Sequence, residues 1–444
     1  MKIVRRQAWL ACPAAYTATI DPPGVAGLFG GPALVQKLFR NFAMLDPERD
    51  GILEGWNLLV EGGRIREVSE GAITAPEAEV IDCGGGTLMP GLIDSHVHVV
   101  LSEVYIRNMQ SVPVTLMTAQ AMAEMGAMLN RGFTTVRDTG GADWGLRQGV
   151  EQGLIAGPRL FVAGRAIGPT GGHSDTRART QAVPGCPCCD AMAFTMCIAD
   201  GVSAVRREVR EQMRQGCDHV KIMMSGGVAS PYDPLHSLQY SVPEVRAAVE
   251  EAEAFGRYVT AHAYTPKAIT RAAECGVRCI EHGNLIDEAS AALMAEKGMF
   301  MVANLIAYYA MRERAAEFGM TADMLEKNEA VIDGGLRSLE ICKRAGVPVA
   351  YGSDLLGNLR VDQSREFVIR SEVLPAMDII RSATLTGAQL LRKEGELGCL
   401  RPGAVADLLV VDGNPLDNLE LLTGQGRHLK AIMKDGVFHK CTLN

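Results

Sequence analysis

Nowhere in the 444 residues does an apolar run reach the roughly 18 positions that a membrane-spanning helix needs, so no membrane partner is expected. Basic charge is also scarce, with 44 Lys and Arg against 52 Asp and Glu and a formal net charge of −8. That balance leaves no footprint for nucleic acid, and mild acidity speaks to solubility more than to partners. Cysteine is thin for such a length, 12 in all, unlike the dense spacing of a small disulfide-held secreted domain. The exception is "PGCPCCD", with Cys186, Cys188 and Cys189, where a metal or redox site competes with a loop of incidental thiols. Lys2, Arg5 and Arg6 before "QAWLACPAAYTA" loosely imitate a secretion signal, but Gln7 and Pro13 break its short apolar part, so a cytoplasmic location is expected. Low-complexity tracts are missing too.

What is present is a regular alternation. Short apolar runs ("GLIDSHVHV", "FTTVRDTG", "RLFVAGRAI", "HVKIMMSGG", "YVTAHAY", "VRCIEHG", "MFMVANL" and "VPVAYGSD") are separated by amphipathic stretches such as "MTAQAMAEMGAMLNRG" and "VPEVRAAVEEAEAFG". Eight buried strands alternating with helices over residues 90–395 predict an α/β fold, a (β/α)8 TIM barrel, with a doubly wound open sheet as the competing topology. Residues 38–89 and 396–444 read differently, as strands with glycine turns, and are expected to form one small β-sandwich from both chain ends. Residues 1–37 are expected to be a Pro/Gly-rich N-terminal extension.

"LMPGLIDSHVHVV" raises the chemical question, because a stretch apolar enough for a buried strand carries Asp94, His96 and His98. Strand alternation points His96 and His98 the same way, and two buried imidazoles need a carboxylate, water or a metal ion. Barrel enzymes carry their chemistry at the C-terminal strand ends. There stand His96 and His98 on strand one, Lys221 on strand four, His262 on five, His282 on six and Asp354 on eight. A lone strand histidine is more often a hydrogen-bonded core residue than a ligand. Four at strand ends with a terminal aspartate fit Zn²⁺ and its neighbours in the first transition row. Lys221, inside "VKIMM", would be costly as a buried cation, and desolvation favours its neutral amine.

In "PGLIDSHVH", "KIMMSGGVASP", "TAHAYTPKAI", "IEHGNLID", "YGSD" and "LGCLRPGAVADLLVVDGNPL", in that order, the chain resembles the amidohydrolase superfamily of binuclear metal type over residues 39–444. "TGGHSD", "SGGVASPYDP" and "QYSVPE" are similar to its branch of imidazolonepropionase-like enzymes and Xaa-Pro or Xaa-Arg dipeptidases, and to amidohydrolases that cleave ochratoxin A. The resemblance implies two divalent metal ions, with Zn²⁺ the expected species. His96, His98 and Asp354 would hold one, His262 and His282 the other, and a carbamate on Lys221 would bridge them. It implies further that His173 contacts the scissile carbonyl oxygen and that Asp354 moves the proton. A small-molecule amide or dipeptide substrate and a homo-oligomer follow from the same likeness.

Tyr264, two residues after His262, is expected to face the same pocket and bind the substrate's carboxylate, with Arg177 a second candidate; a packed tyrosine and a surface arginine are the plain alternatives. The segment "SDLLGNLRVDQSREF" lacks a histidine that the branch often carries after its aspartate, which leaves substrate preference open. A deaminase or cyclic-amide hydrolase on the same barrel is the alternative chemistry. Glu281 adjoins His282, but strand neighbours face opposite ways, which argues against the deaminase. A non-catalytic scaffold would typically have lost ligands that are all present here.

Overall fold

The structure is a computed structural model that describes residues 35–182, 191–230, 232–317 and 319–443. Cys186, Cys188 and Cys189 lie outside these residues, as does almost all of the expected N-terminal extension. The expected strands form a parallel barrel: Leu92–Val97, Phe133–Asp138, Arg159–Val162 continued by Ala166–Gly168, Val220–Met223, Val259–Ala263, Cys279–His282, Phe300–Ala303 and Val349–Tyr351. The third strand bends at Gly164, whose φ of +67° suits glycine, so its first part pairs with the second strand and its second part with the fourth. The barrel closes at its C-terminal end, where the Ser353 and Asp354 N–H groups donate to His96 O at 3.3 and 2.9 Å.

Helices cover the outside. Val242–Ala254 starts with a reciprocal Ser241–Glu244 capping box and buries Val245, Ala248, Val249 and Ala252 at helical spacing against the strands. Helix Val114–Asn130 likewise buries Met117, Ala121, Met125 and Met128. Among the described residues no helix is long and apolar enough to cross a membrane.

Both chain ends contribute to the β-rich part. A four-stranded sheet runs in the order Arg64–Ser69, Asn57–Glu61, Gln36–Arg40, Glu79–Asp82. A six-stranded sheet runs Val437–Cys441, Leu429–Lys434, Leu408–Val411, Thr87–Pro90, Ala43–Leu45, Ile52–Leu53. Its central strands are apolar on both faces for a visible reason. Met44, Leu88, Leu408, Val410 and Met433 pack into the core shared with the four-stranded sheet, while Leu45, Met89, Leu409, Val411 and Ile432 pack into the core of barrel helix Val114–Asn130. The first strand starts at Gln36, inside the stretch expected to be extension, because Gln36 pairs with Glu61 in register and donates to its carboxylate at 2.6 Å.

Candidate metal centre

Strand alternation brings the His96 and His98 rings to 5.2 Å between centroids. Asp354 follows the eighth strand with a φ of +51°, and its Oδ1 lies 3.3 Å from the Nε2 atoms of both histidines. One ligand atom from each of the three lies within 4.8 Å of the others. His282, at φ +77°, lies 4.4 Å from the His262 ring and presents Nδ1 3.7 Å from Asp354 Oδ2. Left-handed backbone at non-glycine residues costs about 1–3 kcal/mol each and gathers at functional sites. Two of the proposed ligands carry it.

His96 tests whether this group fits a metal. Its Nδ1 is engaged by Glu281 at 2.7 Å, while the buried Nε2 makes no well-formed hydrogen bond and faces Asp354 and His98. A cation bound by two imidazoles and a carboxylate would satisfy that orphaned lone pair. The donor set fits. His98 is oriented the same way, with Nδ1 donating to Gly140 O at 2.8 Å and Nε2 turned to Asp354. Burial, with His173 and His282 beside it, holds His262 well below the ordinary histidine range. Burial also dominates at His282, and with His96 it outweighs the opposing pull of Asp354. Both imidazoles are therefore neutral, as ligation requires. Burial opposes ionisation of Asp354, yet His96 and His98 hold its carboxyl well below the usual carboxylate range.

Lys221 is buried and makes no ion pair among the described residues; burial lowers its amine, partly offset by Glu281 and Asp354. It lines one cavity together with His96, His98, His173, His262, Tyr264, His282 and Asp354. His173 stacks on His262 at 4.2 Å and is held by Ser230 Oγ, 2.8 Å from Nδ1, with Asp233 at 3.4 Å. Gly227 makes room for it, since a Cβ there would lie 2.0 Å from His173 Cε1. Tyr264 is buried, stacked on His282 at 4.9 Å, with its hydroxyl 2.8 Å from that of Tyr308.

Arg177 is not brought to this cavity. Asp175, two residues earlier, engages its Nε and Nη2 at 2.7 Å each, and it lines a separate cavity with Arg165 and Glu208. The expectation that Glu281 turns away from the site also needs correction. The left-handed turn at His282 ends regular alternation, and Glu281 stands behind His96, bonded as well by Arg137 and Thr260. It still does not line the cavity, because three neighbours engage its carboxylate. Arg137, fully buried, also donates to Ser95 O at 2.6 Å. Asp94 is a clasp, accepting from Ser353 Oγ at 2.6 Å and Gln363 Nε2 at 2.8 Å and so tying strand one to strand eight. Tyr308, whose hydroxyl lies 2.9 Å from His282 Nδ1, escaped sequence reasoning altogether.

The amidohydrolase family profile matches residues 87–438. Ochratoxinase from Aspergillus niger is 30% identical over 357 residues, covering 75% of this chain and 72% of that protein. The crystal structure of an amidohydrolase matches with a TM-score of 0.89 at 50% identity, covering 92% of this chain and 99% of that one. The crystal structure of a prolidase complexed with N-methylphosphonate-L-proline gives 0.89 at 45% identity, covering 92% and 100%. The profile runs from the strand before the barrel to the last strand of the six-stranded sheet, and the chain belongs to the amidohydrolase family.

Proposed function

We propose that this hydrolase of carbon–nitrogen bonds is a metal-dependent enzyme that cleaves the amide joining an acyl group to a C-terminal amino acid. A dipeptide, an N-acyl amino acid or an ochratoxin A-type amide would be such a substrate. The observation that carries this reading is the convergence of His96, His98 and Asp354 within 4.8 Å, beside His262, His282 and Lys221 on one cavity. The likeness to ochratoxinase and to the prolidase complex supports the bond type. His96, His98 and Asp354 would hold one divalent ion, His262 and His282 a second, both Zn²⁺ by donor preference, with a carbamate on Lys221 between them. Such ions supply a water of lowered pKa and polarise a carbonyl.

The side chains do the rest. Asp354 would hold the proton released by the attacking water and hand it to the leaving nitrogen. His173, anchored through Nδ1 by Ser230 Oγ with Asp233 beside it, would present its Nε2 side to the developing oxyanion. Burial keeps the Tyr264 and Tyr308 phenols protonated, and because their hydroxyls share one hydrogen bond, one of the two hydrogens at most would be left to donate to a substrate carboxylate. Val104, Ile106, Met196, Met311 and Leu359 make the wall apolar, which suits a hydrophobic acyl group or side chain.

Elemental analysis with a panel of dipeptides, N-acyl amino acids and ochratoxin A, run on wild type and Lys221→Ala, tests this reading. About two metal ions per chain, with metal and hydrolysis both reduced in the variant, is the expected result. One ion per chain and an unimpaired Lys221→Ala would overturn it in favour of a deaminase or cyclic-amide hydrolase.

A further inference from the structure

The opposite end of the barrel holds a feature the hydrolytic site does not use. Tyr258 and Arg278 immediately precede the fifth and sixth strands, so they sit at the rim away from His262 and His282. A cavity opens there, and its charged lining is Arg257, Arg278, Lys297 and Arg392 against Glu253 alone. In a chain of net charge −8 this concentration of cations runs against the general trend.

Two of these cations have no carboxylate at salt-bridge distance, although Glu394 acts on Arg278 from farther off. Arg257 lies 3.6 Å from Asp218 and Lys297 lies 3.0 Å from Glu296. Arg278 and Arg392, by contrast, enter no salt bridge among the described residues. Their hydrogen bonds go to backbone carbonyls, Arg278 Nη2 donating to Gln389 O at 2.9 Å and Arg392 Nη1 to Gly256 O at 2.8 Å, and Arg278 also lies over the Phe300 ring at 4.9 Å. Both guanidinium groups lie over the Tyr258 ring, 5.6 and 5.5 Å from its centroid, so two like charges share one aromatic support. Such a contact contributes about 0.5–1 kcal/mol at an exposed site, which does not remove the repulsion between them. Arg278 Nε is buried with no hydrogen-bond partner, and burial together with the charge of Arg392 disfavours the protonated guanidinium. Unpaired cations with a vacant buried donor beside a cavity are the arrangement that an anion relieves. Planar guanidinium groups match the oxygens of phosphate and carboxylate in particular.

We propose that this cavity is a binding site for a small multivalent oxyanion, of the phosphate or dicarboxylate class, held between Arg278 and Arg392. It is separate from the metal centre and independent of the hydrolytic reading.

The test is calorimetric titration of the metal-loaded full chain with inorganic phosphate and, separately, succinate at constant ionic strength. Wild type is compared with Arg278→Gln, Arg392→Gln and the control Arg207→Gln, an exposed residue elsewhere. Phosphate can also meet the metal ions, but that component is common to all four proteins, so only what the two rim variants lose counts. We expect saturable binding weakened about tenfold or more in Arg278→Gln and Arg392→Gln and unchanged in the control. Loss of phosphate binding alone assigns a phosphate ligand, and loss of succinate binding alone assigns a dicarboxylate; either upholds the site. Equal affinity in all four proteins, or no saturable binding of either anion, would overturn it. Arg392 is exposed, so its variant is expected to fold even if Arg278→Gln does not.

Discussion

Behind His96 stands a carboxylate; behind His282 stands a phenol. His96 Nδ1 meets Glu281, which Arg137 and Thr260 hold in turn, all of it buried. His282 Nδ1 meets the Tyr308 hydroxyl, which passes on to Tyr264, and His262 Nε2 meets only the Gly226 carbonyl at 3.1 Å. One half of the candidate centre thus has a buried charge behind His96, with the Gly140 carbonyl at His98, whereas the other has only neutral hydroxyls and a carbonyl. A carboxylate that raises the affinity of His96 for a proton raises its affinity for a cation in the same way. The His96–His98–Asp354 half should therefore hold its ion more tightly, and a chelator titrated into the holoenzyme should empty the His262–His282 half first. Release of both ions in one step would break the comparison.

The largest single effect is expected at the charged half. Glu281→Ala removes the partner of a fully buried Arg137 as well as the support of His96. An uncompensated buried charge costs about 3–5 kcal/mol, so chemical denaturation should show a loss of that order. Metal content and hydrolysis should fall with it. A variant with wild-type stability would mean that water reaches Arg137 and that the pair does not brace His96.

The neutral half should respond more gently. Tyr308→Phe removes one hydroxyl shared by Tyr264 and His282 and leaves the ring packing intact. Stability should change by about 1 kcal/mol, and metal affinity should drop toward the lower end of the roughly 10–100-fold that such outer partners contribute. If the loss in metal affinity matched that of Glu281→Ala, the two halves would not differ as proposed.

The strands that carry the proposed ligands were legible because each reads as a short apolar run with histidine or aspartate near its C-terminal end, although Lys221 is the second residue of its strand. The β-rich part was legible from its short strands between glycine turns; that Leu408 to Val411 are apolar on both faces because they are covered twice is seen in the fold. Glu281 was misread because alternation assumes ordinary strand dihedrals, and a φ of +77° at His282 is not written in "CIEHG". Tyr308 was missed because it belongs to a helix, Leu305–Glu313, that reaches His282 only after the chain has folded. The bend at Gly164 was likewise hidden in "RLFVAGRAI", which reads as one strand.

The smallest effect is expected at Arg177, and it sharpens the comparison by marking where the site ends. Read in sequence, Arg177 follows "GGHSDT" and could reach a substrate carboxylate. In the fold, Asp175 lies two residues back and engages its guanidinium through two hydrogen bonds, with Nη1 also donating to Ala182 O at 3.0 Å. The hydrogen bonds to Asp175 hold the Asp175 carboxyl below its usual range despite its burial, so the pair is committed to itself. Replacing Arg177 with Ala should leave KM and kcat for a C-terminal carboxylate substrate within about twofold of wild type, with a stability change below about 1 kcal/mol. The parallel Tyr264→Phe variant should raise KM instead, since Tyr264 lines the cavity and Arg177 does not. A raised KM in Arg177→Ala alone would show that the Asp175 bond opens for substrate, and would extend the charged half of the site to its outer rim.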